Sequence, residues 1–159
     1  MRMLDKISRL VAGGERAVRH EAAEVLQTLY VGCVGRARQL ERHAELAPQP
    51  SSADGLRELA HAEERQAERL AEALRAAGER PPSSAPAPPR AGALNHWARL
   101  VQDLEAHRSS ERRLRELAAH FAETLPETAA LFDEMCREEH AHCLRLRALI
   151  ARADPQAFD

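Results

Sequence analysis

Aromatic residues are nearly missing from this chain of 159 residues: Tyr30, Trp97, Phe121, Phe132 and Phe158 make up 3% of it. β-Branched residues are scarce as well. A sheet sandwich or barrel draws on both kinds, so the composition excludes an all-β core. Lysine occurs once, at Lys6, and the formal net charge is -2. Nucleic-acid binding needs a basic face, which this balance does not supply. No run of 18 apolar residues exists, so no helix is expected to span a membrane. The first eleven residues carry Arg2, Asp5, Lys6 and Arg9 among their apolar positions, unlike the unbroken apolar core of a signal peptide. The three cysteines, Cys33, Cys136 and Cys143, include no CxxC pair. Their number is odd, and Cys136 and Cys143 lie seven apart on one helix face. No disulfide framework is expected; reduced thiols in the cytoplasm fit. Nucleophile elbows, phosphate loops and dinucleotide glycine patterns are absent. Any catalysis would have to run through a metal.

What the chain has is Ala, Leu, Arg and Glu, the strong helix formers, within 44% hydrophobic and 30% charged residues. That composition predicts an all-α fold. Proline is costly inside a helix, and all nine prolines fall at Pro48 and Pro50, Pro81 to Pro89, Pro126 and Pro155. Between them the sequence predicts helices over about 15–46, 53–78, 92–122 and 125–152. Gly13-Gly14 reads as a break that sets off a short N-terminal helix, about 2–12. Gly78 suits the position after a helix end. Thr124-Leu-Pro-Glu127 reads as a capping box with Thr124 as N-cap. Short links make antiparallel neighbours, giving helical hairpins 15–78 and 92–152 joined by a Pro-rich linker, 79–91. The expectation is a single domain, 1–159: an antiparallel four-helix bundle. Leu4, Ile7, Leu10 and Val11 form an amphipathic N-terminal segment suited to packing on the bundle or to pairing in a homodimer.

At about 100° per residue each helix can be given an apolar stripe. The second carries Leu56, Leu59, Ala60, Ala67, Leu70, Leu74 and Ala77. The fourth carries Phe132, Met135, Cys136, Cys143, Leu146, Leu149 and Ile150. The two superpose at an offset of 76, and each is interrupted once at the same depth, by Glu63 and by Glu139. Three residues later come Gln66 and His142. A buried carboxylate costs several kcal/mol unless it is paired or metal-bound, and two at one level repel unless a cation or a shared proton lies between them. The third helix reads as Trp97, Val101, Leu104, His107, Glu111, Leu114, Ala118 and Phe121, placing His107 and Glu111 on one face at the same level. The first helix offers no carboxylate there; Arg36 stands at that depth, beside Gly32 and Gly35.

Ala62-Glu63-Glu64-Arg65-Gln66-Ala67 and Glu138-Glu139-His140-Ala141-His142-Cys143 resemble the E-x-x-H elements of the ferritin-like superfamily, of the rubrerythrin and bacterioferritin type. The resemblance implies iron or manganese held by carboxylates and imidazoles in the bundle core, with oxidase, peroxidase or iron-storage chemistry. It gives a candidate metal set of Glu63, Gln66, His107, Glu111, Glu139 and His142. The chain departs from the pattern in having Gln66 where histidine is usual and Arg36 where a first-helix glutamate is expected. If redox-active, such a site would act on oxygen, peroxide or ferrous iron. A second register uses Glu58-x-x-His61 with Glu24 and Glu105, each 34 before its partner, but it sits opposite the apolar stripe. A metal-free interaction module with an Arg-paired carboxylate cluster is the alternative. A hemerythrin-like oxygen or iron sensor, built on His20-x-x-x-Glu24 and His107-x-x-x-Glu111, is another. His43, His96, His120 and His140 are expected at the periphery.

Overall fold

The computed structural model describes residues 2–83 and 95–153, with side chains from Gly13 onward. It is an all-α, four-helix bundle: α1 Arg2–Glu45, α2 Pro50–Ala76, α3 His96–Phe121 and α4 Pro126–Ala153. α1 packs along α2, and α3 along α4. The end of α1 (Leu40, Ala44), the start of α2 (Ala53, Leu56), the start of α3 (Leu100, Leu104) and the end of α4 (Leu146, Leu149) share one apolar cluster. Hence α1 and α4 run one way, α2 and α3 the other. α2 therefore ends at the far end of the bundle from where α3 begins. Most of the Pro-rich linker lies outside the described residues, as do the side chains of Leu4, Ile7, Leu10 and Val11.

The helix ends follow local chemistry. Pro50 and Pro126 occupy first helical positions, where a missing N–H costs nothing. Asn95 caps α3, its side chain accepting from the Ala98 amide at 2.8 Å. Past α2, Gly78 takes φ +81°, and the Glu79 amide returns to the Leu74 carbonyl at 2.9 Å. That left-handed step closes the helix with its last carbonyls satisfied.

Two expectations need correction. Gly13-Gly14 does not break the chain: α1 runs through it, so there is no separate short N-terminal helix. Glycine weakens a helix by about 1 kcal/mol but keeps its N–H, unlike proline. The α4 cap is also shifted by one residue. Leu125 precedes Pro126 in the capping position, and Thr124 belongs to the turn before it.

Two apolar clusters fill the bundle. One packs Leu26, Leu29, Leu70, Leu74, Leu114, Phe121, Phe132 and Met135; the other is the cluster that fixes the helix directions. Each fully buried Leu or Phe contributes roughly 1.5–3 kcal/mol. At the second cluster Gly55 of α2 packs against Leu149 of α4: a Cβ on Gly55 would stand 3.2 Å from Leu149 Cδ2. Between the clusters lies a polar layer, which holds the candidate site.

Candidate metal centre

α1, α2 and α3 each send one side chain into this layer, and α4 sends two, Glu139 and His142. The stripes of α2 and α4 turn inward as their periodicity requires, and Glu63 and Glu139 are both 0% exposed. The α3 row is Leu100, His107, Leu114 and Phe121, all essentially fully buried. A seven-residue interval is two helical turns less about 20°, so this row is a nearly straight seam with His107 in its middle. From α1, Arg36 reaches across with its side chain 18% exposed.

Arg36 grips Glu63 Oε2 with Nε at 3.0 Å and Nη2 at 2.9 Å. Its Nη2 stands 3.7 Å from Glu139 Oε1. His107 Nδ1 pairs with Glu139 Oε2 at 2.8 Å and lies 3.5 Å from Glu63 Oε1. His142 Nδ1 faces Glu63 Oε1 at 3.6 Å and Glu139 Oε1 at 3.7 Å. Glu63, His107, Glu139 and His142 each bring one donor atom within 4.8 Å of all the others. Glu63 Oε1, Glu139 Oε1 and His142 Nδ1 are buried and have no hydrogen-bond partner.

Those unpartnered atoms test whether the residues fit a metal. A tetrahedral centre with bonds of about 2.1 Å has donor-to-donor edges of about 3.4 Å. The separations of 3.5–3.7 Å are too long for hydrogen bonds and close to that edge. Two carboxylates with imidazoles suit iron, manganese or zinc. The residues therefore fit a divalent ion.

The electrostatics point the same way. Burial alone would raise the Glu139 carboxyl. The hydrogen bond from His107, the facing His142 and the Arg36 charge reverse this and hold it below the usual carboxylate range. Burial alone would lower His142, but Glu139 and Glu63 push it up to about 9. The layer attracts positive charge beyond what Arg36 supplies. Cys33 lies beside it, 3.3 Å from Arg36 Nη2. Burial, with Glu63 nearby, raises its thiol far above the ordinary range, so it stays protonated.

Two of the six candidates from the sequence lie apart from this group. Glu111 turns 40° further round α3 than His107, and its carboxylate binds Arg115 at 2.7 Å and His140 at 3.3 Å. Gln66 is buried, but its amide nitrogen donates to Glu138 at 2.9 Å and its oxygen faces the Cys33 thiol at 3.8 Å. The second register is ruled out by exposure. Glu58 pairs with Arg145, His61 with Glu64, and Glu105 with Arg108, all at the surface. The hemerythrin-like spacing fails likewise, since His20 and Glu24 form a surface pair.

A neighbouring cluster was not anticipated. His43, expected at the periphery, is 3% exposed, and its Nδ1 pairs with Asp103 Oδ2 at 2.7 Å. Gln39 donates to Asp103 Oδ1 at 2.6 Å. Asp103 lies four residues before His107, and that spacing was the available signal. Trp97, expected on the core stripe, is 41% exposed, because the buried seam starts at Leu100.

Comparison with known proteins agrees with this architecture. The ferritin-like domain family matches residues 38–154. Two solved structures share the fold. One is the Desulfovibrio desulfuricans bacterioferritin, with a TM-score of 0.72 and 18% identity, covering 91% of this chain and 87% of that one. That structure was determined for its diiron site in different catalytic states. The other is a dodecameric thioferritin, the bacterioferritin-related protein of Bacteroides fragilis, with a TM-score of 0.65 and 14% identity, covering 85% and 89%. No curated protein sequence matches the chain. Among the described residues no helix is long and apolar enough to cross a membrane.

Proposed function

The chain belongs to the ferritin-like domain family, and from that premise we propose that it binds one divalent transition metal, iron first, in the polar layer of its bundle. Glu63, Glu139 and His142 hold the ion, with His107 joining them or orienting Glu139. The supporting observation is the set of buried atoms without partners: Glu63 Oε1, Glu139 Oε1 and His142 Nδ1. A cluster evolved only to pair charges would satisfy these atoms with one another. At 3.6–3.7 Å they are spaced as donors around a shared cation are. Each unsatisfied buried polar group costs about 1–3 kcal/mol, more when charged. An ion would enter from the α2–α4 face, where His142 lines two surface depressions that also share Ala62 and Arg65. A ferrous ion held by carboxylates and imidazoles supplies oxygen or peroxide chemistry, or iron handling, once bound. The chain's own part is to hold the donors, keep them dry and fix the charge. The three buried free thiols suit a reducing cytoplasm.

The second reading is a metal-free interaction module, favoured by the Arg36–Glu63 ion pair. Elemental analysis separates the two. Protein purified under reducing, iron-replete conditions is compared with the Glu139→Ala, His142→Ala double variant. The expected result is about one metal per wild-type chain and none in the variant. A wild type without stoichiometric metal refutes the metal reading, and equal metal in both refutes the ligand assignment.

A further inference from the structure

We infer that the Arg36 guanidinium occupies a second cation position in the polar layer, so that this one residue limits the core to a single metal ion. The inference rests on the metal-binding reading above and adds what sets the number of ions. The structure divides the Glu63 carboxylate between two sides. Glu63 Oε2 faces Arg36 at 2.9 Å, while Glu63 Oε1 faces His107 and His142. Glu63 thus joins one cation already present to one open position. Glu139 also lies between the two, with Oε1 at 3.7 Å from Arg36 Nη2 and at 3.7 Å from His142 Nδ1.

Two of the side chains that a second ion could use are committed elsewhere. Gln66 spends its amide on Glu138 and Cys33. Glu111 spends its carboxylate on Arg115 and His140. α1 contributes a cation instead of an anion. Charge gives the same answer. Glu63, Glu139 and Arg36 together carry one net negative charge, which a divalent ion turns into one positive charge. A second ion would leave three positive charges in a desolvated layer, which is prohibitive. With glutamate at position 36 the layer would carry three negative charges, and two divalent ions would return it to one positive charge.

The test loads wild type and Arg36→Glu with ferrous iron under anaerobic conditions and measures metal per folded chain. Far-UV circular dichroism and gel filtration check the fold. The inference expects one ion in wild type and two in Arg36→Glu, with an X-ray absorption metal–metal vector at about 3.5–4 Å only in the variant. One ion in both proteins, or two in wild type, overturns the inference and leaves the metal-binding reading standing. Metal in the variant but none in wild type overturns that reading and keeps Arg36 as the cation substitute. No metal in either overturns both. Should Arg36→Glu fail to fold, Arg36→Gln decides. Removing one positive charge beside the site should lower the Kd for a single manganous ion at least about tenfold by titration calorimetry, and an unchanged Kd overturns the inference.

Discussion

In metal-free protein the polar layer should hold a proton on His142, and that proton should stabilise the fold. Arg36 balances only one of the two buried carboxylates, Glu63 and Glu139. His142 faces both and titrates at about 9 instead of 6.5. Each tenfold change in proton affinity is worth about 1.4 kcal/mol, so the folded state gains roughly 3 kcal/mol from this protonation. The folded-state value is raised, so the gain is complete below pH 6.5 and disappears as pH rises through about 9. His142→Gln removes it while keeping a polar side chain of similar reach. Urea denaturation of both proteins after chelation should show wild type ahead by roughly 3 kcal/mol at pH 6 and by about 2 kcal/mol at pH 7.5. Near pH 10 only the difference in packing should remain. A gap that does not change with pH would refute the reasoning. Metal gives a second readout, because an ion must displace the same proton. Wild-type affinity should fall about tenfold for each pH step below 9. In His142→Gln that component of the slope should vanish.

Other substitutions probe the placement of the remaining groups. Glu111→Ala, and separately Glu58→Ala with His61→Ala, should leave metal content unchanged and shift stability by no more than about 1 kcal/mol, because Glu58 and His61 make surface pairs and the partners of the half-buried Glu111, Arg115 and His140, are exposed; loss of metal in either would return them to the site. Asp103→Ala strips the buried His43 and the half-buried Gln39 of their shared partner and should cost about 3–5 kcal/mol in urea denaturation; a cost below 1 kcal/mol would mean water replaces the carboxylate freely. Gly13→Ala with Gly14→Ala meets no atom within 4 Å of either new Cβ. It should favour the local helix by about 1 kcal/mol per site, raising helix content by circular dichroism with little change in the unfolding midpoint. Lower helix content would show that α1 does break there.

The legible parts of this fold were those where hydrophobic phase and proline agree. The stripes of α2 and α4 are long and interrupted only by Glu63 and Glu139, so the sequence already placed both carboxylates inside and at one level. The same phase correctly kept Glu58 and His61 outside, although their E-x-x-H spacing is the more complete motif. Gly78 could be placed because only a residue tolerant of positive φ ends a helix in that way. Gly13-Gly14 misled because glycine marks both breaks and permissive helix positions, and a penalty of about 1 kcal/mol does not stop a helix anchored along its length.

The α3 contribution was harder to read for a geometric reason. His107 and Glu111 are four residues apart and differ by about 40° around the helix. Periodicity assigns both to one face, yet a metal site distinguishes side chains by fractions of that angle. What decides is which heptad row becomes the seam, and Val101, Leu104 and Ala118 support one seam nearly as well as Leu100, Leu114 and Phe121 support the other. The neighbours then complete the selection. Arg115 and His140 stand where they can bind Glu111, so turning it inward would strand both partners and add a third buried carboxylate to a layer with one guanidinium. The imidazole of His107 costs less to bury and donates to Glu139, whose carboxylate needs a donor. Helical spacing therefore selects the layer, and charge within the layer selects the residue.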